Sequence, residues 1–110
     1  MQKSTRVTPR FAFTAPAEIF LNGGAAKPAT VKELSQNGCF LEFAEPYPVG
    51  TRVGLKILAH KEVFEASAKV IYAKPELGMA VAFLDVKPQS LAILEKWSLV
   101  TTRRGETSIP

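Results

Sequence analysis

A chain of 110 residues, 46% apolar and 22% charged, has the size and composition of one globular domain. Its formal net charge of +4 favours an anionic partner, but the basic residues gather at the two ends rather than in the dense patch of a nucleic-acid domain. No apolar run approaches the ~20 residues of a membrane helix, and the basic start leads into no secretory h-region. The lone Cys39 has no internal disulfide partner, and no Cys/His cluster suits a metal, so a reducing cytoplasmic setting without membrane insertion is expected.

The first β-prone stretch predicts a strand over 15–22, with one early proline. Gly23-Gly24 then makes a tight turn, because glycine accepts positive φ at no steric cost. Residues 30–34 alternate in the two-residue strand period and form a second strand. Ser35-Gln36-Asn37-Gly38 interrupts it, and a third strand covers 39–43. Prolines and a glycine mark 45–50 as a loop. Strands are predicted over 52–58 and 63–73, a turn over 74–77, and a sixth strand over 78–83. Pro88 opens a helix where its missing N–H costs nothing, with Leu91, Leu94 and Trp97 on the apolar face and Ile93 beside it.

Six short strands and one helix predict a mostly all-β fold: a six-stranded antiparallel β-barrel with a C-terminal α-helix that plugs or flanks it. Residues 1–14 are expected as an N-terminal arm, 15–101 as barrel and helix, and 102–110 as a disordered tail. Cys39 reads as a core thiol, His60 as an exposed turn residue, Trp97 as a helix anchor, and Gly78 as a site of close strand packing.

Two polar islands stand out. Arg6 and Arg10 flank Val7-Thr8-Pro9, and Pro9 pushes Thr8 toward an extended conformation, so the pair sits on an arm rather than a helix. Two guanidiniums there can pair with phosphates or with guanine O6 and N7, and can stack on a base; they can equally be solvated. The second island is Glu33-x-Ser35-x-x-Gly38. One reading is a plain turn, with Ser35 bonding its own backbone and Gly38 at positive φ. The other is a carboxylate for guanine N1–H and N2–H beside a hydroxyl and bare amides for phosphate.

Taken together, the RxxxR pair before the first strand and the acid-x-Ser-x-x-Gly turn after the second resemble the PilZ domain family. So do the third strand, the segment 76–83 and the final helix. The resemblance runs from about Arg6 to Leu99. It implies a bacterial cyclic di-GMP receptor, non-enzymatic and without a cofactor, in which Arg6 and Arg10 grip phosphates and guanines while Glu33, Ser35 and Gly38 line the other side. It also implies that the arginine arm reorders around the ligand and reports to an as yet unidentified protein effector, with no DNA or RNA partner expected.

The family usually carries Asp or Asn where this chain has Glu33. The extra methylene moves the carboxylate by about one bond length and adds a rotor to freeze on binding. A lost charged hydrogen bond costs roughly 1.5–3 kcal/mol, about ten- to a hundredfold in affinity. The alternative is therefore a degenerate PilZ-like interaction adaptor with weak or no ligand binding. A third candidate, a barrel for single-stranded nucleic acid, rests on the basic charge alone, since most phenylalanines fall in predicted strands. Thr5 leaves no third arginine beside Arg6, so binding of one or two dinucleotides stays open.

Overall fold

The computed structural model describes the backbone of residues 10–21 and 23–107 and the side chains of residues 10–21 and 23–99. Alternation drives the first strand, β1 (Phe11–Phe20), which turns Phe13, Ala15, Ala17 and Ile19 into the core and the residues between them outward. The remaining elements are β2 (Lys27–Leu34), β3 (Gly38–Glu42), β4 (Arg52–Ala59), β5 (Glu62–Lys74), β6 (Gly78–Val86) and α1 (Pro88–Thr107). All strand pairs are antiparallel, and they close into a barrel in the order β1-β2-β3-β6-β5-β4, with β4 returning to β1. Closure gives each described strand a neighbour on both sides, with β1 meeting β4 over Ala17–Phe20. Ile19, Leu34, Leu41, Ile57, Phe64 and Val70 keep no exposed surface inside it. Each such burial contributes on the order of 1.5–3 kcal/mol.

The six-stranded barrel with its C-terminal helix is as the sequence predicts; several boundaries differ. β1 begins at Phe11, so it takes in residues 11–14 of the expected arm. β2 begins at Lys27 rather than at 30: Pro28, which argues against a strand, is tolerated one residue from its start, opposite Glu18. β6 runs on to Val86, and α1 continues to Thr107, into the segment expected as a tail.

Two turns set the strand register. Gly23 has φ 72°, and Gly24 N–H donates to the Leu21 carbonyl at 2.8 Å. Between β4 and β5, His60 and Lys61 sit at φ 51° and 65°, the two positive values that a two-residue type I′ hairpin needs.

The helix lies along β5 and β1. Its buried stripe is Ser90, Leu94 and Trp97, spaced i, i+4, i+7. Ser90 Oγ accepts the Glu65 N–H at 2.9 Å and so fixes the rotation of the first turn on β5. That rotation turns Leu91, expected on the apolar face, outward to 43% exposure. Trp97 is buried as an anchor: its ring stacks on Phe13 with centroids 5.1 Å apart and 24° between planes, and lies 6.3 Å from Phe64. Lys96 pairs with Glu62, and Lys87 Nζ lies 2.9 Å from Glu65 Oε1. Among the described residues, no helix is long and apolar enough to cross a membrane, and no cluster of three His, Cys, Asp or Glu could hold a metal ion.

Candidate functional site

The turn after β2 is held by its own serine. Ser35 N–H donates to the Gly38 carbonyl at 2.9 Å. Ser35 Oγ accepts the Asn37 N–H at 3.2 Å and donates to the Gly38 carbonyl at 3.3 Å. The hydroxyl is therefore committed to the turn, and Ser35 is buried. Phe83 N–H donates to the Asn37 carbonyl at 2.8 Å, tying the turn to β6.

Gly38 corrects one expectation. Its φ is not positive; it opens β3 as a strand residue. What it supplies is absence of bulk: a Cβ there would stand 2.1 Å from the Val81 carbonyl oxygen. Gly78 does the same at the other end of the β3–β6 ladder, where a Cβ would meet the Leu41 carbonyl oxygen at 2.1 Å. Two glycines thus let β3 and β6 approach closely.

Glu33 sits where the ladder is irregular on both sides. The β1–β2 register shifts between Ala12 and Ala15, and the β2–β3 register between Val31 and Glu33. Such irregularities re-aim side chains, and they frequently flank functional sites. The Glu33 carboxylate is half exposed, and its Oε1 lies 3.8 Å from Arg10 Nη1. Arg10 itself is 76% exposed. A pair this open is worth about 0–1 kcal/mol, so an anionic ligand can displace it cheaply.

Arg10, Glu33, Ser35 and Gly38 line one cleft of ≈ 430 Å³ on the outer wall of the barrel. This is within the size range of small-molecule sites. Arg6, the other arginine of the pair, lies outside the described residues. The cleft also has walls that the motifs do not name. Asn37 completes the polar turn, and Phe40, Ile71, Tyr72 and Ala80 form an apolar side. Phe40 was legible, since Cys39 and Leu41 point inward and alternation turns it out. Tyr72 was not, because a register shift in β5 breaks the alternation there.

Cys39 touches the cleft but is only 7% exposed, and burial pushes its thiol pKa up to about 12. It stays protonated at neutral pH and is no nucleophile. His60 is exposed at its turn, and its ring lies 6.3 Å from Phe13 and 6.4 Å from Trp97.

Comparison with curated protein sequences finds no match. Solved structures give several. The inhibitor of motility MotI/DgrA of Bacillus subtilis superposes with a TM-score of 0.76 at 16% identity, covering 100% of this chain and 55% of that one. YcgR of Escherichia coli in complex with c-di-GMP gives 0.76 at 18% identity, covering 94% and 48%. The present chain therefore spans about half the length of these two proteins. The PilZ domain of Escherichia coli YcgR with c-di-GMP gives 0.72 at 18% identity, covering 94% of this chain and 95% of that one. At these identities the likeness is one of fold. The sequence itself matches the PilZ domain model over residues 4–99, nearly its whole length, and the chain belongs to the PilZ domain family.

Proposed function

We propose that this domain is a non-catalytic cyclic di-GMP receptor that relays the level of the second messenger to a protein effector. The observation that carries this reading is the convergence of Arg10, Glu33, Ser35 and Gly38 on one surface cleft. Its polar side has the donors and acceptors that a guanine nucleotide needs. Arg10 offers a planar fork for a phosphate or for guanine O6 and N7. The Glu33 carboxylate can accept from guanine N1–H and N2–H. Ser35 acts by shaping the turn, and Gly38 by letting that turn sit close on β6. Family membership and the c-di-GMP complexes of YcgR, a structural neighbour, support the choice of ligand.

In this reading, Arg6 and Arg10 close over the ligand together. Before binding, Glu33 holds Arg10 loosely across 3.8 Å. Ligand phosphate competes for the guanidinium, and the segment before β1 reorders as Arg10 changes partner. The rearranged surface is what an effector recognises. MotI/DgrA, named as an inhibitor of motility, illustrates the kind of output such a domain can serve.

The test is substitution of each arginine, with the fold checked by circular dichroism. Arg10→Ala removes charge-assisted bonds worth about 1.5–3 kcal/mol, so affinity for cyclic di-GMP should fall about ten- to a hundredfold. Arg6→Ala should do likewise. Both variants binding as tightly as the parent protein would remove these residues from the site. Glu33→Asp reports on the side-chain length: stronger binding identifies Glu33 as a ligand contact detuned by one methylene, whereas absence of binding in both forms points to an interaction adaptor that has lost the ligand.

A further inference from the structure

The apolar side of the cleft is built by a defect in β5. Val70 pairs with Val81, and Tyr72 pairs with Ala80, so Ile71 and Tyr72 together face a single step of β6. This two-against-one count is that of a β-bulge. Val70 points into the core. Regular alternation would send Ile71 out and Tyr72 back in. With the bulge both stand outside, 53% and 51% exposed, and both line the cleft beside Arg10 and Glu33. An exposed aromatic next to an exposed isoleucine forgoes burial that the core would otherwise reward.

The register places Tyr72 within a row of neighbours. Ala80 on β6 is paired with Tyr72 on one side and with Phe40 on the other, and Phe40 in turn is paired with Glu33. Directly paired residues share a face, so Glu33, Phe40, Ala80 and Tyr72 run in one line across the outer wall. The small side chain of Ala80 makes a low floor between two aromatic residues whose strands are separated by about 10 Å. Gly78 leaves room for Phe40: a Cβ there would stand 2.9 Å from Phe40 Cζ. One end of the row is an acceptor for a purine edge, and the other is a flat apolar face.

We propose that the bulge in β5 aims Tyr72 into the cleft so that its ring, flanked by Ile71 and floored by Ala80, stacks on a purine base of the bound nucleotide. The inference rests on the cyclic di-GMP reading above and adds to it a residue that decides which ligands fit. Tyr72 offers its face to one base, three strands away from the Glu33 carboxylate, so a ligand with phosphates but no purine gains nothing from this wall.

The experiment compares the parent protein, Tyr72→Phe, Tyr72→Ala and Arg10→Ala in titrations with cyclic di-GMP, with guanine hypochromism near 260 nm as a second readout. Tyr72 is half exposed on the surface, and thermal melts verify that each variant folds. Base–aromatic stacking predicts that Tyr72→Ala weakens binding about five- to a hundredfold and loses the Tyr-dependent part of the hypochromism. Tyr72→Phe keeps both, because it retains the ring. Parent binding with Tyr72→Ala unchanged, while Arg10→Ala is impaired, overturns the stacking role alone. Loss in Tyr72→Phe equal to that in Tyr72→Ala overturns it too, since the hydroxyl rather than the face would then matter. Absence of binding by the parent protein overturns the receptor reading itself and the stacking role with it.

Discussion

Replacing Gly38 with alanine tests what the glycine of the second motif is for. The added Cβ would stand 2.1 Å from the Val81 carbonyl oxygen, 3.1 Å from its carbon and 3.2 Å from the Ala82 Cα. All three are backbone atoms of β6, so no side chain can swing away. Real contacts do not fall below 3.0 Å, and β3 must therefore draw back from β6 by roughly 1 Å at this point. Overpacking costs about 1–3 kcal/mol, and stretching the neighbouring ladder bonds adds up to about 1 kcal/mol. We expect a loss of about 2–4 kcal/mol, which for a domain of this size lowers Tm by roughly 10–25 °C. Far-UV circular dichroism melts and a urea midpoint measure it. Gly54→Ala is the control. Its Cβ would rest 3.6 Å from Phe20 Cβ, an ordinary contact, and alanine recovers about 0.5–1 kcal/mol of strand entropy. That variant should melt at or slightly above the parent temperature. A Gly38→Ala protein melting within about 3 °C of the parent, or a Gly54→Ala protein equally damaged, would refute the close-approach argument.

The hairpin between β4 and β5 keeps Lys61 at φ 65°, a left-handed conformation costing an L-residue about 1–2 kcal/mol. Lys61→Gly should raise stability by about 0.5–1 kcal/mol after its larger unfolded-state entropy, and a lower urea midpoint would contradict this. The Trp97 Nε1 is buried without a hydrogen-bond partner among the described residues. Trp97→Phe removes that orphaned donor while keeping a ring against Phe13, so it should cost no more than about 1 kcal/mol, against about 3–5 for Trp97→Ala. Equal unfolding midpoints for the two variants would remove the reasoning. The Glu65 carboxyl is held below its usual pKa, first by the hydrogen bond from Lys87 and then by its charge. A depressed carboxyl contributes stability above the unfolded pKa and loses it as pH falls through the folded value. The difference in Tm between the parent and Lys87→Met should therefore shrink as pH drops through the carboxylate range; a constant difference would show that the pair does not act through charge.

The barrel was legible because its strands announce themselves by alternation: Val53, Leu55 and Ile57 point in, with polar or small residues between. The hairpin at His60-Lys61 and the anchoring Trp97 were legible for similar local reasons. Boundaries were less so where a local rule was overridden by pairing. Pro28 argues for a loop, yet β1 supplies a partner strand for it. Leu91 fits a helical apolar stripe, yet the bond from Glu65 to Ser90 rotates that stripe by one residue. In the candidate site, spacing picked out Arg10, Glu33, Ser35 and Gly38, which line one cleft, and the turn bond of Ser35 was legible, whereas the part played by Gly38 was not. Nothing local tells a glycine needed for positive φ from one needed because Val81 lies against it. The outward face of Tyr72 was hidden most completely, because it depends on a register shift against β6 that no period in β5 can reveal.

In the proposed receptor, the cleft holding Arg10, Glu33 and Tyr72 binds cyclic di-GMP. Isothermal titration of the purified protein with cyclic di-GMP, with GTP and cyclic di-AMP as controls, tests it most directly. Selective binding at micromolar affinity or better is expected, with a stoichiometry that tells a single ligand from a stacked pair. Absence of both heat and thermal shift, in a protein whose circular dichroism shows the folded barrel, would contradict it.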